Sequence, residues 1–146
     1  MSQSNPILFI CTVGGSPEPL IASIKQWKPS KVFFLPSKQT AKDVEGIVTK
    51  ASEEGFQVPI GCYETQVIPD AQNFADCVES FRKLTDEVRK WLARGENYEV
   101  VVDFTGGTKC MTAALALQAH QWHCKFSYVG GSERTKDGVG IVVSGK

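Results

Sequence analysis

Apolar residues along this chain come in two patterns that alternate. Short runs, Ile7-Leu8-Phe9-Ile10-Cys11, Lys31-Val32-Phe33-Phe34-Leu35 and Val100-Val101-Val102, suit strands covered on both faces, and Cys124-Lys125-Phe126-Ser127-Tyr128-Val129 reads as a fifth strand. Between them, apolar positions recur at helical spacing. Leu20, Ile21, Ile24 and Trp27 define one helix, with Ser16 as N-cap and Pro17 at the first helical position. A second helix runs from about Ala41 to Glu54 and stops at Gly55. A long third opens at Pro69-Asp70 and continues to about Ala93, with Phe74, Val78, Phe81, Leu84, Val88 and Leu92 as its apolar face. A fourth follows Thr108 through the run Ala113 to Ala119. Gly61 to Val67 reads as a more polar, edge strand, and Ile141-Val142-Val143 as a short last strand that returns antiparallel. Ser132 to Gly140 reads as the connecting turn.

The alternation β-α-β-α-β-α-β-α-β, then a short β, predicts an α/β fold. It is a Rossmann-like parallel sheet with helices on both faces and a short antiparallel last strand. In the doubly wound order 3-2-1-4-5, strands one and four are neighbours, and ligands bind outside their carboxyl ends. Both of those ends carry paired glycines. Thr12-Val13-Gly14-Gly15-Ser16 follows the first strand, and Asp103-Phe104-Thr105-Gly106-Gly107-Thr108-Lys109-Cys110-Met111 follows the fourth. Paired glycines let backbone N–H groups approach a ligand, and the helix start after each turn adds free N–H groups and a positive dipole end. Such turns suit an anion, above all phosphate, or they serve strand-to-helix geometry alone. The G-x-x-x-x-G-K-[ST] spacing of a Walker A loop is absent, as is the G-x-G-x-x-G of dinucleotide-dependent oxidoreductases. Where those oxidoreductases carry an acidic residue after strand two, this chain has Pro36-Ser37-Lys38.

Composition narrows the picture. A chain of 146 residues fits one domain with a real core. Sixteen lysines and arginines balance sixteen acidic residues, so a broad surface for duplex nucleic acid is not expected, while a small anion in one concave site is compatible. No apolar run reaches membrane-span length, and no signal peptide is recognisable, so the cytoplasm is the expected location. Five cysteines without a C-x-x-C pair argue against a disulfide framework and a zinc ribbon. His120 and His123 flank Trp122 at i,i+3 without a nearby carboxylate, so no metal site is expected and placement at a helix C-terminus explains them.

The two glycine turns, with Tyr128-Val129-Gly130-Gly131-Ser132-Glu133-Arg134 near the fifth strand end, resemble the CRISPR-associated Rossmann fold (CARF) family over nearly the whole chain. The resemblance implies a homodimer that binds a cyclic oligoadenylate second messenger across its two-fold, with cyclic tetra-adenylate expected over hexa-adenylate. It implies the sensor role of a type III CRISPR ancillary effector in antiviral defence, with residues 1–146 forming one sensing domain and the effector domain lying outside this chain. It implies no cofactor. Carried over by residue, Thr12, Val13, Gly14, Gly15 and Ser16 contact the ligand from the first turn. Thr105, Gly106, Gly107, Thr108, Lys109 and Met111 do so from the fourth, and Arg134 reaches the phosphates or across the dimer. Ser16 serves equally as a plain N-cap, and Met111 equally as core. Asp103, which would repel an anion, is expected to hold the turn through backbone N–H groups. Ser37, Lys38 and Gln39, after strand two, line an outer edge of the site or, as the preferred reading, form a surface loop. The alternative is a metal-independent ring nuclease that leaves linear products with 2′,3′-cyclic phosphate. Lys109, Ser16 and Thr12, with Thr108, are its candidate catalytic groups.

Overall fold

The computed structural model describes residues 5–95, 97–129 and 141–144, the last stretch as backbone. Six strands form one sheet in the order β3-β2-β1-β4-β5-β6. They are β1 (Ile7–Val13), β2 (Lys31–Pro36), β3 (Tyr63–Thr65), β4 (Glu99–Asp103), β5 (Cys124–Tyr128) and β6 (Ile141–Ser144). The first five pair in parallel, and β6 pairs antiparallel with β5, Phe126 opposite Val143. The four α-helices are α1 (Glu18–Trp27), α2 (Val44–Glu53), α3 (Phe74–Leu92) and α4 (Lys109–Ala119). The expected strand order and hand of pairing are both present.

The unbroken apolar runs are explained by two cores, one on each face of the sheet. Phe9, Cys11, Val13, Val32, Phe34 and Val101 pack with α1 and α2 residues such as Ile24 and Ile47. Leu8, Ile10, Phe33, Leu35, Val100 and Val102 pack with Phe81, Leu84 and Val88 of α3 and Ala114 and Leu115 of α4. Successive strand residues point to opposite faces, so both sets must be apolar.

Several boundaries move for physical reasons. The chain from Pro69 to Asn73 is a turn, not helix: Asp70 Oδ1 accepts the Gln72 N–H at 3.0 Å. Asn73, whose side chain accepts the Asp76 N–H at 3.0 Å, caps α3. Phe74 is consequently exposed, and the buried face of α3 runs through Cys77, Phe81, Leu84 and Val88, with Ser80 and Thr85 buried beside it. The Thr85 hydroxyl satisfies itself on Phe81 O at 3.1 Å. α2 is preceded by a short 3₁₀ turn, Ala41–Asp43, and Gly55 ends it at φ +117°. β3 is only three residues long, with a separate bridge from Ser37 to Ile68 further on. Ser16 does not cap α1. The helix starts from Pro17, whose carbonyl accepts the Ile21 N–H at 3.0 Å. A cap at Ser16 would place Pro19, which has no N–H, at the third helical position, one of the two whose N–H an N-cap side chain accepts. His120 is the C-cap of α4, and both it and His123 are exposed. Gly130 to Gly140, with Arg134 and the predicted connecting turn, lies outside the described residues.

Candidate ligand-binding cleft

A cleft of about 480 Å³ opens at the carboxyl end of the sheet. Its floor is made where the two glycine turns meet. They meet through backbone: a methyl on Gly14 would lie 2.5 Å from Gly107 N, and one on Gly106 would lie 2.6 Å from Gly14 N. Gly107 also needs glycine for its own conformation, φ +93°. By contrast, a methyl on Gly15 meets nothing within 4 Å. The glycines are thus required first for the approach of one turn to the other.

Hydroxyls of the motif tie this floor together. Thr12, wholly buried, donates to Gly106 O and does not line the cleft. Thr108 accepts the Met111 N–H at 3.1 Å, which makes it the N-cap of α4, and donates to Ala71 O in the turn before α3. Thr105 accepts the Val129 N–H at 2.7 Å. Met111 is buried, with its sulfur 3.3 Å from the Thr108 N–H and its side chain under Gly107. It is at once core and cleft floor.

Asp103 lies beneath the fourth turn, fully buried, and its Oδ1 accepts the Thr105 N–H at 2.9 Å. Burial pushes its carboxyl above the ordinary aspartate value, against the lowering effect of the Thr105 N–H and the hydroxyls of Ser23, Thr105 and Ser127. Its Oδ2 completes no hydrogen bond among the described residues. Burial, and then the Asp103 charge, raise the Cys11 thiol well above its usual value, so Cys11 is no thiolate nucleophile.

Val13, Gly14, Gly15, Ser16, Thr105, Gly106, Gly107, Thr108 and Met111 all line the cleft. Lys109 does not. It is the first residue of α4, exposed, with its side chain outside the cleft lining. Much of the remaining lining comes from residues that no motif marked: Ser37, Lys38, Gln39 and Thr40 after β2, and Pro69, Asp70, Ala71 and Gln72 before α3. Lys38 and Gln39, expected in a surface loop, therefore belong to the cleft. Thr40 locks the loop after β2 to the first turn by donating to Val13 O at 3.0 Å, while exchanging bonds with Ser37. The one sequence signal for them was position: they follow the carboxyl end of the strand next to β1. Among the described residues, no group of histidines, cysteines and carboxylates could hold a metal ion, and no helix is long and apolar enough to cross a membrane.

Fold and cleft together define a Rossmann-like α/β domain with a cleft at the switch point between β1 and β4. It is the fold of the CRISPR-associated proteins that the turn motifs resemble. The particular structures it matches include Can2 from Sulfobacillus thermosulfidooxidans in complex with cyclic tetra-adenylate (TM-score 0.62, 16% identity, 84% of this chain and 32% of that one). Csm6 from Enterococcus italicus, bound to cyclic hexa-2′-fluoro-hexa-dAMP, matches with TM-score 0.63 and 17% identity over 86% of this chain and 34% of that one. A type III CRISPR defence DNA nuclease activated by cyclic oligoadenylate matches with TM-score 0.63 and 15% identity, over 90% of this chain and 19% of that one. The chain thus spans about a third or less of each of these proteins. No family model and no curated protein matches the sequence.

Proposed function

We propose that this chain is a sensor that binds cyclic oligoadenylate in the cleft at the β1–β4 switch point, for a type III CRISPR effector in antiviral defence. Cyclic tetra-adenylate is the favoured ring. The observation that carries this reading is the floor of two glycine turns in backbone contact at the carboxyl ends of adjacent parallel strands. Exposed backbone and a helix N-terminus there suit phosphate, and Lys38 supplies a cation in the same cleft. The likeness in fold to proteins seen with cyclic tetra-adenylate and with a cyclic hexanucleotide supports a cyclic oligonucleotide as the class of ligand.

A homodimer belongs to the same reading. α4 is apolar on nearly all sides, yet Ala113, Ala116 and Leu117 are exposed, Leu117 by 57%. An all-round apolar helix calls for cover on its outer face. Lys109 stands on the same stripe at i, i+4, i+7 and i+8 spacing, at the cleft end. A second copy against this stripe would bring Lys109 toward a ligand lying across the two-fold, which its place outside the single-chain cleft otherwise leaves without a role.

Binding is favoured over ring cleavage by the state of the hydroxyls. Those of Thr12 and Thr108 are engaged in holding the turns, and Ser16, exposed at the cleft, has no base bonded to it among the described residues. The test is calorimetry with cyclic tetra- and hexa-adenylate, with the ring's fate followed by mass spectrometry. Tight binding of an intact ring is expected. Linear products ending in 2′,3′-cyclic phosphate would establish the nuclease instead, and binding of neither ring would refute the ligand.

A further inference from the structure

The lining of the cleft is of two kinds. On the glycine-turn side, backbone dominates, and the hydroxyls of Thr105 and Thr108 are engaged. The loop after β2 and the turn before α3 add Lys38, Gln39, Asp70 and Gln72, all exposed. The side chains of Lys38, Gln39 and Gln72 make no hydrogen bond or ion pair among the described residues, and Lys38 and Asp70 do not pair with each other although they share one cleft. Asp70 is nonetheless fixed. Its Oδ1 holds the Gln72 N–H at 3.0 Å, and its backbone carbonyl accepts the Asn73 N–H at 3.0 Å. The turn is further clamped by Thr108 on Ala71 O and by the Cys110 thiol, 3.3 Å from Gln72 O. One carboxylate oxygen, Oδ2, is therefore held in place at the cleft with no hydrogen-bond donor on it among the described residues.

A carboxylate in a cleft for a polyanion cannot face phosphate, because like charges at contact distance repel. It is suited instead to a hydrogen-bond donor of the ligand. Resting on the cyclic oligoadenylate reading above, we propose that Asp70 is a specificity-determining residue. Its free oxygen accepts from the exocyclic amino group of an adenine, which makes the Asp70–Gln72 turn the base-reading wall and leaves phosphate to the glycine turns and Lys38. Adenine offers that amine on its readable edge, and a ring lacking it leaves the carboxylate desolvated and unpaired.

The experiment is a double cycle between protein and ligand. Dissociation constants are measured by calorimetry for cyclic tetra-adenylate and for the same ring built from purine without the 6-amino group, with wild type, Asp70→Ala and Asp70→Asn. Wild type should prefer the amino ring by about tenfold to a hundredfold, and Asp70→Ala should bind both rings alike. Asp70→Asn keeps an oxygen for the Gln72 N–H and so keeps the turn, but presents an amide donor where Oδ2 was. It should reverse the preference toward the ring without the amine. Equal binding of both rings by wild type, or a preference that survives in Asp70→Ala, overturns the inference and leaves the ligand reading standing. A 2′-deoxy tetra-adenylate ring closes the other route: a loss on 2′-deoxy substitution that vanishes in Asp70→Ala assigns the carboxylate to the ribose hydroxyl and overturns base reading. Failure of wild type to bind any of these rings overturns the ligand reading, and this inference with it.

Discussion

The hydroxyl of Thr12, at the end of the first strand, is bonded to the carbonyl of Gly106, 94 residues further along the chain. This one bond joins the two turns that make the floor of the cleft, and its donor is wholly buried. Thr12→Val should therefore leave a carbonyl without its partner and cost about 1–3 kcal/mol of stability. Thr12→Ser, which keeps the donor, should cost less. Urea unfolding of the three proteins checks the order, and a Thr12→Val protein as stable as wild type would remove the tie.

The contact between the glycines predicts a sharp contrast among them. Gly14→Ala and Gly106→Ala each drive a methyl to 2.5–2.6 Å from a backbone nitrogen of the other turn. Backbone cannot swing aside as a side chain can, so each should lose about 1–3 kcal/mol or more and weaken ring binding. Gly15→Ala, with open space at its Cβ and no positive φ, should change stability by less than about 0.5 kcal/mol. Thermal unfolding and calorimetry on the three variants decide it.

Asp103 gives a pH dependence whose sign is fixed. Its carboxyl pKa is raised in the folded protein, chiefly by burial. The folded state thus holds the proton more tightly than the unfolded chain. Its contribution is fully favourable below the unfolded value of about 3.9 and is lost as pH rises through the raised folded value. Asp103→Asn keeps an acceptor for the Thr105 N–H and removes the ionisation. The stability of the variant relative to wild type should grow with pH across that window and then level off. Denaturant titrations from acid to neutral pH measure it, and a difference independent of pH would contradict the burial argument.

Among the described residues, Lys38 and not Lys109 is the cation that lines the single-chain cleft. Lys38→Ala should lower ring affinity by about tenfold to a hundredfold, the worth of one charge-assisted hydrogen bond, and should flatten the salt dependence of binding. Lys109→Ala should weaken binding only in the dimer. Leu117→Glu, which places a charge on the exposed stripe of α4, should shift the protein toward monomer in sedimentation and take the Lys109 effect with it. A Lys109→Ala loss that persists in a monomeric Leu117→Glu protein would show that Lys109 needs no second copy.

Much of this was legible in the sequence because the signals were local. Runs such as Leu8 to Cys11 announce strands covered on two faces, and Asp103 to Met111 announces strand, turn and helix within a few residues. The strand order followed from the alternation and the two Gly-Gly ends. What was hidden depended on distant partners. Nothing near Thr12 says that its hydroxyl belongs to Gly106, and nothing near Thr108 says that it reaches Ala71. Lys109 reads as a ligand residue from its motif, yet the first residue of a helix projects where the helix face puts it, here to the outside. The wall of Lys38, Gln39 and Asp70–Gln72 had no motif because it is assembled from two turns that meet only in the fold. The onset of α3 read early because Pro69-Asp70 is a good helix opening, and Asp70 instead used its carboxylate to turn the chain.

The contact of Gly14 with Gly106 and Gly107 also bears on how binding could be felt elsewhere. Where Gly14 meets Gly106 and Gly107 the contact is backbone on backbone, and the buried Thr12 hydroxyl ties the same turns, so the floor behaves as a stiff joint. α1 leaves one side of it and α4 the other, each within a few residues. A ligand that pries the turns apart or draws them together must move those helices as whole bodies, and α4 carries that movement straight to its uncovered outer stripe.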